Sequence, residues 1–168
     1  MIKLVKMDPK YKRQLFEMMD EWSNANEKII PWSIRKVDYH DIDNYINSLE
    51  VKEPYGKYVP DSTFFCLDTD RNIFIGAVNI RHYLNDELIQ GDGHIGDGIR
   101  PSERGKGYGN QIVKLTIDEC HKMGINEILI CCDKDNIISA KTIVHNGGVL
   151  ENEIDIDGIK VQRYWIKD

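Results

Sequence analysis

The sequence predicts a mixed α/β (α+β) fold in which a sheet carries helices on both of its faces. Two observations lead to this prediction. Segments with helical and strand-like hydrophobic periodicity follow one another in the order β-α-α-β-β-β-α-β-α-β-β. The 168 residues are 41% hydrophobic and 30% charged, a composition typical of globular proteins. Because no repeat, low-complexity run or linker interrupts them, we expect a single domain over residues 1–168.

The N-terminal part contains one predicted strand and two predicted helices. Residues 1–6 alternate between apolar and polar side chains, as a short edge strand does. Asp8 and Pro9 then suit a helix start, with aspartate as N-cap and proline in the first helical position. The apolar face of this helix comprises Tyr11, Leu15, Phe16, Met19 and Trp22. Residues 23–31 break the pattern and predict a loop, and residues 37–49 predict the second helix.

Three strands are predicted in the middle of the chain. Residues 62–67 and 73–80 are rich in β-forming side chains, and the polar residues 69–72 between them suit a hairpin. Residues 85–93 predict an irregular connection. Residues 94–100 predict the third of these strands, and its glycines predict a β-bulge.

The C-terminal part begins with the most strongly amphipathic helix, over residues 107–123, which Gly124 ends. The next strand is continuously apolar, which predicts burial on both faces. Asp157 and Gly158 form the clearest hairpin turn in the sequence. The remaining elements are a strand, a helix and the two strands of that hairpin, over residues 127–132, 136–145, 149–156 and 159–166.

Composition makes several classes of function unfavourable. The formal net charge of −6 argues against a nucleic-acid partner held by bulk electrostatics. No apolar run approaches the ~20 residues of a membrane helix, and the N-terminus is too polar for a secretory signal, so we expect a cytoplasmic protein without a membrane partner. The four cysteines form no CxxC pair and no histidine cluster accompanies them, so no metal site is expected.

The most informative segment is the turn that precedes the longest helix. It reads Arg104-Gly105-Lys106-Gly107-Tyr108-Gly109, with glycine at every second position. Glycines let the backbone approach a ligand closely, and the free N–H groups at a helix start attract an anion. Because Arg104 and Lys106 add positive charge, the turn predicts a site for a phosphate or pyrophosphate.

Three other interpretations of this turn compete with that prediction. A glycine-rich connection without a ligand is the commonest meaning of a bare glycine pattern. A P-loop requires serine or threonine after Gly-Lys, whereas Gly107 follows Lys106 here. A dinucleotide fingerprint GxGxxG fits only in part, because the third glycine, Gly109, comes one position early.

The segment resembles the pyrophosphate loop of the GNAT N-acetyltransferase superfamily, whose pattern is [Q/R]-x-x-G-x-[G/A]. Arg104, Gly107 and Gly109 occupy its fixed positions. Downstream, residues 133–140 resemble the Asn-x-x-Ser/Ala helix start that follows the fifth strand of the family. Residues 146–148, which read Asn-Gly-Gly, stand where the family usually has Gly-Phe before its sixth strand. Since the element order also agrees, the resemblance covers the whole chain.

This resemblance implies a mostly antiparallel sheet whose fourth and fifth strands splay apart to hold the pantetheine arm of acetyl-CoA. The backbone near Ile99 would meet that arm, and Asn136 would touch it. The pyrophosphate would be held by Arg104, Gly105, Lys106, Gly107, Tyr108 and Gly109. The implied activity is transfer of an acetyl group to a primary amine, by direct attack of the amine on the thioester.

The amine must lose a proton, and the candidates for the base are Asp92, His94 and Asp97, with His94 and Asp97 preferred. His94 has a suitable unperturbed pKa, and Asp97 lies nearer the expected thioester. Many members of the family carry a tyrosine as general acid seven residues after the position of Asn136, and this chain has Ile143 there. The thiol must therefore be protonated by another group or by water.

The acceptor is not identified by the sequence, and a small molecule and a peptide both fit. Its pocket is expected between the N-terminal helices and the final hairpin, and could include Trp22, Trp32 and Tyr39, although such side chains more often pack in a core. The edge of the final hairpin is a surface through which members of this superfamily often form homodimers. Two alternatives stay open: a non-catalytic acyl-CoA-binding module on the same fold, and a nucleotide-binding protein.

Overall fold

The computed structural model describes residues 1–167, which form seven β-strands and four α-helices. The strands are β1 (Ile2–Val5), β2 (Asp61–Asp68), β3 (Ile73–Arg81), β4 (Ile95–Ile99), β5 (Glu127–Asp133), β6 (Val149–Ile156) and β7 (Ile159–Lys167). The helices are α1 (Lys12–Asn24), α2 (Ile42–Ser48), α3 (Tyr108–Lys122) and α4 (Ile137–His145). Their order along the chain is the predicted one.

The strands form two sheets, in the orders β1-β2-β3-β4 and β5-β7-β6. All neighbouring strands within them are antiparallel. Strand β6 pairs only with β7 in the described chain, and its first two residues, Val149 and Leu150, are exposed. A homodimer formed through this exposed edge of β6 stays a prediction.

Helices cover both faces of the four-stranded sheet, which confirms the predicted layering. Helices α1 and α2 bury apolar side chains such as Leu15, Trp22 and Tyr45 against one face. Helix α3 covers the other face with side chains such as Ile112, and α4 packs beside it against α3 and β5 with side chains such as Ile143. Removing these apolar side chains from water is the main driving force for the packing.

Two predicted elements differ from the structure. Helix α2 is shorter than predicted because it begins only at Ile42, where the Asp41 carboxylate accepts a hydrogen bond from the Asn44 N–H group. The bulge predicted in the third middle strand is wrong, since β4 pairs with β3 in continuous register over Ile95–Ile99. Its glycines serve close packing instead: a methyl group on Gly98 would overlap the backbone of Ile30.

The two sheets meet at a single junction between the start of β4 and the middle of β5. Gly93, at a φ of 68°, forms an isolated bridge with Ile130, and the His94 N–H group donates to the Leu129 carbonyl over 2.8 Å. Within residues 1–167 no backbone hydrogen bond joins β4 and β5 beyond this point. The two strands therefore part as predicted, and they leave a gap whose walls carry unpaired backbone groups.

Candidate active site

The glycine turn opens directly onto the start of α3. Gly105 and Gly107 have φ values of 74° and 85°, a region that favours glycine, and a methyl group on either would meet no atom within 4 Å. No group among residues 1–167 accepts a hydrogen bond from the N–H groups of residues 105–109. Successive unpaired amides at a helix start form an anion site.

The charged side chains of the turn are already engaged. Arg104 donates to the Ile99 carbonyl over 2.9 Å and forms an ion pair with Glu27. Lys106 pairs with Glu103 over 2.8 Å. Because these carboxylates neutralise the nearby cations, an anion at this turn would meet mainly backbone amides.

Glu103 is the centre of the network that fixes the turn. Its carboxylate is 4% exposed and also accepts a hydrogen bond from Arg71 over 2.6 Å. The Arg71 guanidinium reaches further to the Tyr108 hydroxyl over 2.9 Å. Hydrogen bonds from Arg71 and Lys106 hold the pKa of Glu103 below its usual range. The side chain of Tyr108 is thus fixed beside the first turn of α3.

Helix α1 is tied to the same segment through Glu21. Its carboxylate accepts hydrogen bonds from Arg100 and Ser102, the shortest being 2.7 Å from the Ser102 hydroxyl. Loss of water raises the pKa of Glu21, but these hydrogen bonds outweigh that effect and lower the pKa to about 2. The approach to the turn is therefore anchored on both sides.

The remaining coenzyme residues of the prediction lie around the gap. Ile99 ends β4 at its open side, and Gly109 approaches Thr142 of α4, where a methyl group would lie 3.6 Å from the threonine hydroxyl. Asn136 caps α4 by accepting a hydrogen bond from the Ser139 N–H group over 3.1 Å. The acceptor in this bond is the side-chain amide oxygen of Asn136, so the side-chain amide nitrogen stays available as a donor.

The imidazole of His94 is part of the junction between the sheets. The Leu129 N–H group donates to its Nδ1 over 3.0 Å, and the residue is 5% exposed. Burial lowers the pKa of His94 to about 4, and the neighbouring Arg81 acts in the same direction. A neutral ring that accepts at Nδ1 carries its proton on Nε2, so it has no vacant lone pair while this bond holds.

Asp97 lies on the wall of the gap. It pairs in register with Val78, whose side chain belongs to the core beneath α3, so the carboxyl group points to the face of the sheet covered by α3 and α4. Burial raises the pKa of Asp97 above its usual range, because the charged form loses contact with water.

The position of the missing tyrosine is filled by core packing. Ile143 is 2% exposed and offers no proton. The Tyr164 hydroxyl is hydrogen-bonded to Gln162 over 2.8 Å, and the Tyr108 hydroxyl accepts from Arg71.

A cavity of about 290 Å³ lies on the opposite face of β4. Two of its lining residues lie against Gly96 of β4, where an added methyl group would lie 3.4 Å from Pro31 and 3.5 Å from Nη2 of Arg81. Trp32 and Asp92 also line it.

The sequence predicted only part of this cavity. Of the three predicted aromatic residues, Trp32 lines it, whereas Trp22 is fully buried and Tyr39 is hydrogen-bonded to Asp20. The final hairpin lines a separate cavity of about 260 Å³. Arg81 was missed altogether, since a single arginine at a strand end gives no sequence signal.

Two further properties concern residues 1–167 as a whole. No helix among them is long and apolar enough to cross a membrane. They also contain no group of three or more histidine, cysteine or carboxylate side chains placed to hold a metal ion.

Residues 2–149 match the family model described as "Acetyltransferase (GNAT) domain". The chain belongs to the GNAT acetyltransferase family. No curated protein matches it. Among solved structures, it is similar to the microcin C7 self-immunity acetyltransferase in complex with acetyl-CoA and AMP, with a TM-score of 0.68, 19% identity, and coverage of 99% of this chain and 92% of that chain. It is also similar to the spermidine N-acetyltransferase from Vibrio cholerae in complex with CoA and spermine, with a TM-score of 0.63, 15% identity, and coverage of 98% and 94%.

At these identities the likeness to the two structures is a likeness of fold. Family membership supports acyl transfer as the general chemistry of this GNAT domain. The open turn, its unpaired amides and the parted strands fit a coenzyme that has a diphosphate and an extended arm.

Proposed function

We propose that this GNAT protein is an acetyl-CoA-dependent N-acetyltransferase that acetylates a primary amine within a ternary complex. The observation that carries the proposal is the row of unpaired amides at residues 105–109, placed beside the gap between β4 and β5. A diphosphate on these amides would orient the arm of the coenzyme into the gap. Acetyl-CoA supplies the thioester when bound.

The free edges of β4 and β5 are suited to hold the arm. An extended ligand can pair with an exposed strand edge through main-chain hydrogen bonds, and in this chain the edge near Ile99 offers such groups. Backbone N–H groups at the same edge can also stabilise the negative charge that develops on the carbonyl oxygen during attack.

The acceptor amine enters from the cavity over Gly96. An amine with a pKa of ~10 is almost wholly protonated at neutral pH, so a base must take up a proton. Asp92 is the best-placed of the candidates because it lines the cavity and is exposed. Asp97 is the second candidate and would act through the opening between the strands. His94 would first have to release the Leu129 N–H group.

The departing thiol needs no dedicated acid. A thiol with a pKa of ~8–9 is a fair leaving group, and water can protonate it. The burial of Ile143 where many relatives have tyrosine is therefore compatible with turnover.

The coenzyme site is tested by replacing Gly107 with aspartate and titrating acetyl-CoA calorimetrically. A carboxylate beside the amides repels the diphosphate, so we expect binding to be abolished in a folded protein. Gly124 is a matched control, because it has a similar φ of 81° and the same open surroundings at the far end of α3. Gly124→Asp should bind normally. Unchanged affinity in Gly107→Asp would overturn the proposal.

One alternative has an observation in its favour. The occupied Nδ1 of His94 and the apolar Ile143 remove two conventional proton-transfer groups, as expected for a non-catalytic acyl-CoA-binding module. Release of free thiol from acetyl-CoA in the presence of a panel of primary amines separates the two functions. Binding of acetyl-CoA without amine-dependent release would support the module.

A further inference from the structure

Arg81 is an unusual component of the cavity over Gly96. Its Nη1 donates to the carbonyl oxygens of Asp92 and Gly93, each over 3.2 Å. Within residues 1–167, its Nε and Nη2 donate no hydrogen bond and no carboxylate forms an ion pair with it. A half-buried guanidinium stays charged at neutral pH. The Nε and Nη2 groups of Arg81 therefore form a charged pair of hydrogen-bond donors without an acceptor.

The cavity also contains a free carboxylate. Among the described residues, the Asp92 side chain forms no hydrogen bond, whereas the buried Asp61 is held by the Val51 N–H group over 2.8 Å. Asp92 lies close enough to interact electrostatically with Arg81. Arg81 and Asp92 thus form no ion pair with each other, and the other exposed charged residues of the lining, Lys57 and Glu87, form no ion pair within residues 1–167 either.

We propose that the acceptor is an amine that also carries a carboxylate, of amino-acid size, with its carboxylate on Arg81 and its amine facing Asp92. This inference rests on the proposed N-acetyltransferase function. The volume of about 290 Å³ is at the lower end of the range of small-molecule sites, ~300–1,000 Å³. A planar guanidinium edge is the donor geometry that suits a carboxylate.

A simple polyamine is the competing acceptor class. The cavity is lined by the cations Lys57 and Arg81 and by the carboxylates of Asp61, Glu87 and Asp92, so its charges alone do not exclude a second ammonium group. The Arg81 donor pair separates the two classes, because an acceptor without a carboxylate would leave it without a hydrogen-bond acceptor.

The test compares matched pairs of acceptors: the proteinogenic α-amino acids and their α-carboxamides, assayed by thiol release at saturating acetyl-CoA. We expect the best acids to exceed their amides in kcat/KM by about 10- to 100-fold, as charge-assisted hydrogen bonds imply. Arg81→Gln should lower the ratio for each pair by about 10- to 100-fold relative to the wild type, mainly through the KM of the acid. The amines of an α-amino acid and its α-carboxamide differ in intrinsic reactivity. This difference cancels when the acid-to-amide ratio of the wild type is compared with that of Arg81→Gln.

Arg163→Gln is the matched control. Arg163 also holds the segment that precedes β4, since its Nε and Nη2 donate to the Ile89 carbonyl over 2.9 and 2.7 Å, but its charge is paired with Glu151. This variant loosens the same segment without removing the free charge, so it should keep the acid-to-amide ratio of the wild type. If Arg163→Gln abolished the ratio as Arg81→Gln does, the role of Arg81 would be positional and the proposal would be wrong.

If Arg81→Gln does not fold, the wild-type ratio still decides the question once each kcat/KM is divided by the fraction of that amine that is unprotonated at the assay pH, because the amine of an α-carboxamide is less basic than that of the acid. Amides or simple diamines acetylated as well as the acids would overturn the proposal, and so would acids that are all inert. The proposed function fails differently, through absent acetyl-CoA binding in the wild type or through unchanged binding in the Gly107 variant. Acetylation of uncharged amines would thus refute the acceptor class and leave the acetyltransferase function intact.

Discussion

Replacing His94 with asparagine should reduce the acid sensitivity of the fold. The side-chain carbonyl oxygen of the introduced asparagine can accept the Leu129 N–H group in place of Nδ1, but it does not titrate. In the wild type the unfolded chain binds a proton near pH 6.5, whereas the folded chain does so only near pH 4. Stability therefore falls as the pH drops between these values. At 1.36 kcal/mol per pH unit, we expect a loss of about 2.5 kcal/mol between pH 7.5 and 4.5.

The assay is urea unfolding at a series of pH values, with the stability of the wild type compared with that of His94→Asn. The free energy of unfolding of the variant, relative to that of the wild type, should rise by about 2.5 kcal/mol as the pH falls from 7.5 to 4.5. His145→Gln, a change at an exposed histidine of α4, controls for histidine loss and should keep the wild-type profile. If the stabilities of the wild type and His94→Asn changed in parallel with pH, the burial of a neutral His94 imidazole would be refuted.

The same variant tests catalysis. Because the lone pair of Nδ1 is engaged, we expect kcat/KM to change less than tenfold in His94→Asn. A loss of about 100-fold or more, with stability retained at neutral pH, would instead identify His94 as the general base.

Three further changes test how the site is held. Glu21→Gln should lower stability by about 2 kcal/mol at pH 7, and the difference from the wild type should vanish as the pH falls from 4.5 towards 2, because the carboxylate is then protonated in the wild type too. Glu103→Gln should cost about 1 kcal/mol and weaken acetyl-CoA binding, since it loosens the glycine turn. Gly98→Ala should cost about 1–3 kcal/mol and raise the KM of the acceptor by displacing Ile30, whereas Gly96→Ala, with 3.4 Å of clearance, should cost less.

Urea unfolding measures the stabilities, calorimetry measures coenzyme affinity, and thiol release measures the KM. A Glu21→Gln deficit that persists at pH 2 would show that packing, rather than charge, is lost. Normal acetyl-CoA affinity in Glu103→Gln would show that the turn keeps its shape without this network. Equal effects of the two glycine changes would contradict the close approach of Ile30 to β4.

Local sequence signals predicted most of the fold and the geometry of the glycine turn. Helix periodicity, the Asp-Gly hairpin and the glycine turn act over a few residues, so their consequences can be inferred without knowing the tertiary structure. The turn at residues 105–109 is the clearest case, because positive φ, free amides and a helix start all follow from the same short segment.

The acceptor side could be predicted only in part, since Asp92 and Trp32 were named from the sequence but Arg81 was not. Arg81 and Asp92 lie at the two ends of the connection between β3 and β4, and their proximity depends on how the segment before β4 folds back onto β3. The glycines of β4 were misread for the same reason. Gly98 is required by the backbone of Ile30, a residue distant in sequence, and not by the geometry of its own strand.

The division between the two sides of the site has a physical consequence for specificity. In the proposed site the coenzyme would be held by backbone groups of a local turn, which most side-chain substitutions leave in place. The proposed acceptor would meet side chains of β3, of the segment before β4 and of the loop at Pro31, each of which can change independently. In a GNAT domain built like this one, a single exchange at Arg81 would alter the charge preferred in the acceptor without disturbing the diphosphate site. Acceptor choice should therefore be read from the cavity over Gly96, and fold similarity to a spermidine or a microcin acetyltransferase does not determine it.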